Sequence, residues 1–402
     1  MFRTTQHSIV QVDLGAIDHN CRIVRTHIGA HCKLCAVVKA DGYGLGALRV
    51  ANQLSEHAEL LAVYSPDEAG ELLVSGVSIP ILVLSPVHTI ERFHPMYQGL
   101  LQEKVQLVVH SASQLDSIIA LAKRIGSPLH VQVKVDTGLH RGGCDLFDSA
   151  TLIDSIRSHP LLQLRGVMTH FISAVLDEQL TLMQHERLDK VLQSLASPLP
   201  SDCLVHEANT AGTVQWKWTH RNMVRVGLAW TGSVPLGITP LKHAMPVVNW
   251  RTRLAHVRRV KANEQVGYSG TWTAKRESRI GIVPVGYAAG YPMGVGAEGE
   301  NKGTFVRVYD MEFQKTLGDA PVIGSVCMDQ IAIDLTDLPD HGIFCGIELI
   351  STDKNSGATL ERIAQAAGVV PHAILSRISS KVHRSYVSHA PEVVTPKKAI
   401  RA

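Results

Sequence analysis

Lys39 stands at the end of a short apolar run, Leu34–Val38. A lysine at the end of a buried strand is expensive unless it is neutral, paired or covalently committed. Two chemistries meet that condition. One is an ion pair with an inner aspartate; the other is a Schiff-base lysine whose pKa is lowered by its surroundings. The segment AVVKADGYGLGA continues past the lysine with Gly42, Gly44 and Gly46, which free the backbone to approach a ligand, and with the Tyr43 hydroxyl. It is no Walker loop, because the GxxxxGK[ST] spacing is missing. Farther along, Arg225-Val226-Gly227-Leu228 offers bare backbone N–H groups at the place where barrel folds commonly hold a phosphate. A lysine and a phosphate cradle in one barrel point to pyridoxal 5′-phosphate (PLP).

The elements that must position these groups recur regularly. Apolar, β-branched runs lie at Leu34–Val38, Leu60–Tyr64, Ile81–Ser85, Val105–His110, Val131–Val135, Leu164–Met168, Cys203–His206 and Val224–Leu228. Helical-period stretches such as Ala16–Ile28, Pro66–Val74, Ser113–Ile125 and Glu178–Leu195 separate them. Eight strands alternating with helices predict an α/β fold of the (β/α)8 TIM-barrel type, whose usual size is about 250 residues. A doubly wound sheet is the alternative, but no GxGxxG fingerprint opens its first turn. After a Gly/Pro-rich stretch at 232–245 the runs read as strands with few helices: Val247–Val257, Ile280–Val285, Phe305–Tyr309, Val322–Cys327, Ile331–Leu335 and Ile347–Ser351. Two helices, Leu360–Ala367 and His372–Ile378, follow them. The expected division is a barrel over 1–244, a predominantly β domain over 245–386 and a polar tail over 387–402. Barrel enzymes build their sites at the C-terminal strand ends. Those ends carry Lys39, Arg141, His170, Asn209, Thr210 and Arg225.

Composition narrows the class. The 402 residues hold 39 Lys+Arg against 36 Asp+Glu, a net charge of +3, and are 45% hydrophobic and 19% charged, which excludes a disordered or fibrous chain. No basic stripe suggests nucleic acid; the terminal Lys397, Lys398 and Arg401 read as a solvated end. No apolar run approaches the roughly 20 residues needed to span a bilayer, and Met1–Val12 lacks a secretory apolar stretch. Seven sparse cysteines suit reduced thiols in the cytoplasm. The Cys32–Cys35 spacing could mark a redox or zinc site, but it runs into the first strand and has no second Cys/His pair. Without that pair or an HExxH motif, no metal is expected.

The motifs AVVKADGYGLGA, KVDTGLHRGG, GVMTHF, HEANTAG, VRVGLAWTG, VGYSGTW, VPVGYAAGYP and GSVCMDQ, in this order, resemble the motif set of alanine racemases. The likeness runs from about residue 10 to residue 385. It implies a PLP enzyme with a barrel and a C-terminal β domain, working on a small amino acid as a head-to-tail homodimer with shared active sites. By that resemblance Lys39 holds PLP covalently and serves as one acid–base group, while Tyr268, from the other subunit, is the second on the opposite face. A free phenol has a pKa near ~10 and needs cationic help at neutral pH. His170 and Arg225 resemble the residues linked to that phenol. Arg225 is also implied to face the pyridine nitrogen, and Tyr43, Thr210, Gly227 and Leu228 to bind the phosphate beside Asn209. Arg141 resembles an arginine near the substrate carboxylate, and Met328 and Asp329 resemble partner residues closing the substrate end. Lys134, a lysine carbamylated in many relatives, and Tyr287 are implied to support the site.

Departures from the family pattern fall at the entrance. Ser380 stands where a phosphate-binding tyrosine is expected, with Tyr386 a nearby substitute. Val175, Met293, Ser325 and Ala289 replace charged residues. These changes keep a serine or broad-spectrum racemase open beside the alanine enzyme. A non-catalytic PLP carrier is a different class, though carriers of this type usually lack a β domain. A basic-amino-acid decarboxylase and a metal-free aldolase fit the motifs less well.

Overall fold

The computed structural model describes residues 8–239, 241–296 and 304–388. Eight parallel strands form the first sheet: Lys33–Val37, Leu60–Val63, Ile81–Val83, Val105–Val109, Leu129–Lys134, Leu162–Met168, Leu204–His206 and Met223–Val226. Each pairs with the next as far as the seventh, and the eighth pairs back onto the first from Lys33↔Met223 to Ala36↔Val226. The seventh and eighth are tied by single bonds, Arg225 N–H to the Ala208 carbonyl (2.9 Å) and Val205 N–H to Asn222 Oδ1 (2.7 Å). The result is a nearly closed barrel, as the eight apolar runs predicted. Its strands are buried on both faces, which is why they read as continuous Val/Leu/Ile runs rather than alternating ones.

Local signals set the helix ends. Ser65 and Glu68 form a reciprocal capping box at the start of Pro66–Val74, satisfying two otherwise orphaned amides. The helix Ala112–Ile125 starts on Ser111, whose hydroxyl accepts from Gln114 N–H, and ends on Gly126 in the left-handed conformation.

The second sheet has nine strands and lies in the β domain. Here the expected division at residue 244 needs correction at its start. Ile9–Asp13 pairs antiparallel with Val248–Arg253 and parallel with His383–Val387, so the first strand of the chain belongs to the second domain's sheet. Val10 and Val12 are buried and alternate with part-exposed neighbours, the period-two pattern of a half-buried strand. The last strand also carries one residue past 386, because Val387 pairs with Asp13. The run Val247–Val257 is two strands, broken at Leu254–Ala255 where the backbone changes partner from Cys345 to Ile282. Lys397, Lys398 and Arg401 lie outside the described residues. No helix among the described residues is long and apolar enough to cross a membrane.

One segment couples the two domains. After the first barrel strand, Ala40, Asp41, Gly42 and Tyr43 all take positive φ, between 54° and 59°, making a left-handed turn. Such a turn costs about 1–2 kcal/mol for each non-glycine residue. Side chains hold it from both sides. Glu68 accepts from Ala40 N–H (2.6 Å) and Asp41 accepts from Ala47 N–H (2.7 Å). From the β domain, Arg384 donates to the Gly44 carbonyl (2.9 Å) and the Tyr386 phenol donates to the Leu45 carbonyl (3.0 Å). The glycines here serve a purpose other than approach to a ligand. A Cβ on Gly44 would lie 2.3 Å from the Leu375 carbonyl, and one on Gly46 1.9 Å from the Tyr386 hydroxyl. They make room for the second domain.

Arg384 also donates to the carbonyls of Ile378, Val382 and Ser379. Arg384→Ala should therefore destabilise the protein by about 2–4 kcal/mol, since several charge-assisted bonds to carbonyls are lost at once. Thermal unfolding should show a lower melting temperature, with Arg384→Lys recovering only part of the loss.

Candidate active site

A cavity of about 780 Å³ is lined by Lys39, Tyr43, Lys134, Arg141, His170, Asn209, Thr210, Arg225, Gly227 and Leu228. Ten residues picked out from separate stretches thus meet in one place, because the parallel strands all end on the same side of the barrel. Tyr268, Met328 and Asp329 are elsewhere. They line a second, shallower depression on the β domain, where Tyr268 is 72% exposed. Tyr287 lines neither space; its N–H bonds the Cys327 carbonyl and so backs the Met328 segment.

Arg225 organises the floor. Its side chain is buried and its guanidinium donates to His206 Nδ1 (2.8 Å), the Thr169 carbonyl (2.7 Å), the Glu207 carbonyl (3.2 Å) and His170 Nδ1 (3.2 Å). Burial lowers its pKa to about 10, which still leaves it charged at neutral pH. A guanidinium can only donate, so both histidines must present a lone pair to it. His206 consequently bears its proton on Nε2, which donates to Gln132 Oε1 (2.7 Å), and the Gln132 amide donates to Gln106 (2.6 Å). His170 likewise bears its proton on Nε2. Burial, followed by the charges of Arg225, Arg141, Lys134 and Lys39, holds His170 well below the usual imidazole range.

Two lysines line the same space. Burial and the neighbouring Arg141 lower the Lys39 pKa, opposed by Glu68. Lys134 is lowered further, to about 8, by burial and by Arg141 and Arg225. No carboxylate lines the cavity among the described residues. Four cationic side chains with no internal anion make a site for anions.

The anion cradle forms around Gly227. Thr210 Oγ1 accepts from Gly227 N–H (3.2 Å), and a Cβ on Gly227 would lie 2.1 Å from the Tyr43 hydroxyl. Glycine is required there so that the phenol can rest against bare backbone. Leu228 opens the short 3-10 helix that follows, and Asn209 caps the neighbouring helix by accepting from Gly212 N–H (3.0 Å). Phenol, hydroxyl and helix-start amides suit a phosphate monoester.

Three residues went unnoticed in the sequence. His372, from the β domain, lines the cavity with its ring centroid 6.0 Å from that of Tyr43, and its buried Nδ1 has no partner among the described residues. It occupies the place expected for Ser380, which is exposed and outside the cavity. Tyr386 is no substitute either, since its phenol is committed to Leu45. His110 lines the opposite wall, and Glu68 anchors the backbone next to Lys39. Lone histidines in strands and helices carry no positional signal, so only the fold could reveal the first two.

Both domains match a known family. The alanine racemase N-terminal domain family matches residues 12–235, and the alanine racemase C-terminal domain family matches residues 247–386. The chain is 31% identical to an alanine racemase of Halothermothrix orenii over 390 residues, covering 96% of this chain and 98% of that protein. Identity to the alanine racemase of Mycobacterium tuberculosis is 30%, over 93% and 94% of the two chains. Among solved structures, an alanine racemase from Streptomyces lavendulae superposes with a TM-score of 0.82 at 27% identity, covering 96% of this chain and 98% of that one. One from Bartonella henselae, described with covalently bound pyridoxal phosphate, has a TM-score of 0.77 at 25% identity, covering 95% and 99%.

The Arg225 network predicts a fixed state for His170. Nitrogen NMR of the labelled protein should show a neutral, Nε2-protonated ring at pH 5.5, where an ordinary histidine is mostly charged. An imidazolium signal at that pH would contradict the arrangement.

Proposed function

This chain belongs to the alanine racemase family, and we propose that it interconverts L- and D-alanine on PLP through two acid–base groups, Lys39 and Tyr268 of the partner subunit. The observation that carries the reading is the split of the motif residues. One cavity gathers Lys39, Arg225 and the phosphate cradle, while Tyr268 stands exposed on the other domain with Met328 and Asp329.

Bound PLP supplies an electron sink for negative charge at the substrate Cα. Tyr43, Thr210, Gly227 and Leu228 would hold its phosphate, with His372 closing the cradle from the β domain. Lys39 would hold the cofactor covalently through Nζ. The lowered pKa of that amine, once freed by the incoming substrate, suits it better than an ordinary lysine to take and return a proton at Cα. Inversion requires a second group on the opposite face, and the exposed phenol of Tyr268 is free to enter a neighbouring subunit's cavity in a homodimer. Its task there is to move the other proton. His170, neutral and with Nε2–H outward, can donate to that phenol and steady it. Arg225 remains charged and can only donate, so it would leave a cofactor pyridine nitrogen unprotonated, and charge would be drawn less fully into the ring. Arg225 would thereby favour return of the proton to Cα over decarboxylation or transamination. Lys134, unpaired among the described residues and close enough to Arg141 and Arg225 to feel both charges, fits a carbamate that would give Arg141 an anionic partner. All seven cysteines are unpaired, which accords with a cytoplasmic setting.

The cavity wall at Val175 and Leu176 is apolar, so a broader substrate range remains the second reading. Exchange of the α-hydrogen in heavy water over a panel of L- and D-amino acids separates the two. Exchange and inversion confined to alanine support the leading reading, and exchange across serine or longer side chains supports the second. Tyr268→Phe should keep PLP and lose racemisation; unchanged turnover in both directions would sink the two-base account. Co-expressing Lys39→Ala with Tyr268→Phe chains should restore about a quarter of the activity, because half the dimers then contain one intact shared site. No recovery would mean the sites are not shared. His372→Ala should raise the PLP dissociation constant about tenfold, as expected for losing one hydrogen bond to a charged group, measured by titrating apoenzyme.

A further inference from the structure

His110 and Lys134 end neighbouring parallel strands in register. Val109 lies opposite Val133, so His110, the first residue past its strand, stands beside Lys134, the last residue of the neighbouring one, and both line the cavity. They also border one small space. A Cβ on Gly142, whose φ is +103°, would lie 3.2 Å from His110 Nδ1 and 4.0 Å from Lys134 Nζ. Glycine at 142 therefore keeps open the ground between the two nitrogens.

The tautomer of His110 follows from its other bond. Nε2 lies 3.1 Å from the Leu84 carbonyl, which only accepts, so Nε2 carries the proton and Nδ1 carries a lone pair. That Nδ1 is buried and has no partner among the described residues. A buried acceptor left unmatched costs about 1–3 kcal/mol, so such a group usually has a function or a missing donor. Lys134 is a candidate donor because its Nζ borders the same space beside Gly142, and burial, followed by the Lys134 charge, pushes the His110 ring down to about 4.

We propose that His110 is the proton acceptor that installs a carbamate on Lys134, an inference that rests on the reading of Lys134 as a carbamylated residue. The lone pair of neutral Lys134 Nζ attacks the carbon of carbon dioxide. A nitrogen–carbon bond forms, one carbon–oxygen π pair moves onto oxygen to make the carboxylate, and one Nζ proton passes to His110 Nδ1. The proton leaves the imidazolium for solvent through the cavity mouth, and nothing is oxidised or reduced. Afterwards the remaining Nζ–H donates to Nδ1, which resolves the orphaned acceptor, and the new carboxylate is available to Arg141. The step replaces a neutral amine beside His110 with an anion, so the ring becomes a better base as the step completes.

The test follows the carbamate itself rather than turnover. Holoenzyme is mixed with 13C-labelled bicarbonate, and the growth of a carbamate signal is recorded by NMR, with Lys134→Ala identifying the resonance by its loss. His110→Phe should slow that growth about a hundredfold, the usual size of a general-base contribution. His110→Asn, which offers an acceptor but no basic nitrogen, should be equally slow and carries the test should the phenylalanine variant fail to fold. Growth at the wild-type rate in either folded variant overturns the role of His110 while leaving the carbamate reading intact. A wild-type protein with no carbamate signal at any bicarbonate concentration overturns both.

Discussion

A guanidinium sealed inside a barrel must satisfy its donors from the barrel wall, and Arg225 imposes that condition on its surroundings. Its bonds to His206, His170 and the carbonyls of Thr169 and Glu207 fix two imidazole tautomers in turn. From His206 the order passes to Gln132 and Gln106, so a buried polar row replaces aliphatic packing across the barrel interior. Each member has its partner, which is what makes such a row tolerable in a low-dielectric interior. The chemistry of the floor is a consequence of this arrangement. His170 presents N–H outward because its inner nitrogen is already spoken for, and Arg225 remains a cation that cannot pick up a further proton.

The left-handed turn at Ala40–Tyr43 is the second constraint, and it is local strain stabilised from a distance. The turn aims Tyr43 at the bare backbone of Gly227 while Lys39 stays at the cavity wall. Glu68 and Asp41 hold it from within the barrel, and Arg384 and Tyr386 hold it from the β domain. Cofactor cradle and domain packing are thus one structure. The β domain adds His372 beside the cradle, a contribution that depends on the same approach of the two domains.

The site is also divided by design of the chain. The barrel cavity holds cations and a phosphate cradle, whereas the phenol assigned to the opposite face of the substrate lies on the other domain and is open to solvent. On the proposed reading, a monomer so built would hold one acid–base group in its cavity and display the other for a neighbour. In the proposed homodimer each face of the substrate would meet a group from a separate chain, which suits a reaction that must treat both faces alike.

Much of this was legible before any fold was known, for a physical reason. Strands buried on both faces leave continuous apolar runs, so eight of them at regular spacing declared the barrel, and parallel strands put their ends on one side, so residues at those ends could be gathered into a site. Motifs whose chemistry depends on consecutive residues, such as the lysine segment and Arg225-Val226-Gly227-Leu228, could be read in the same way. What sequence could not determine depends on contacts between distant stretches. Ile9–Asp13 is too short for its alternation to announce that it pairs with Val248–Arg253. Gly44 and Gly46 look like ligand-facing glycines until Leu375 and Tyr386 are seen to press against them. His372 and His110 acquire meaning only from an unmatched nitrogen in a shared cavity, a property of packing that no spacing along the chain encodes.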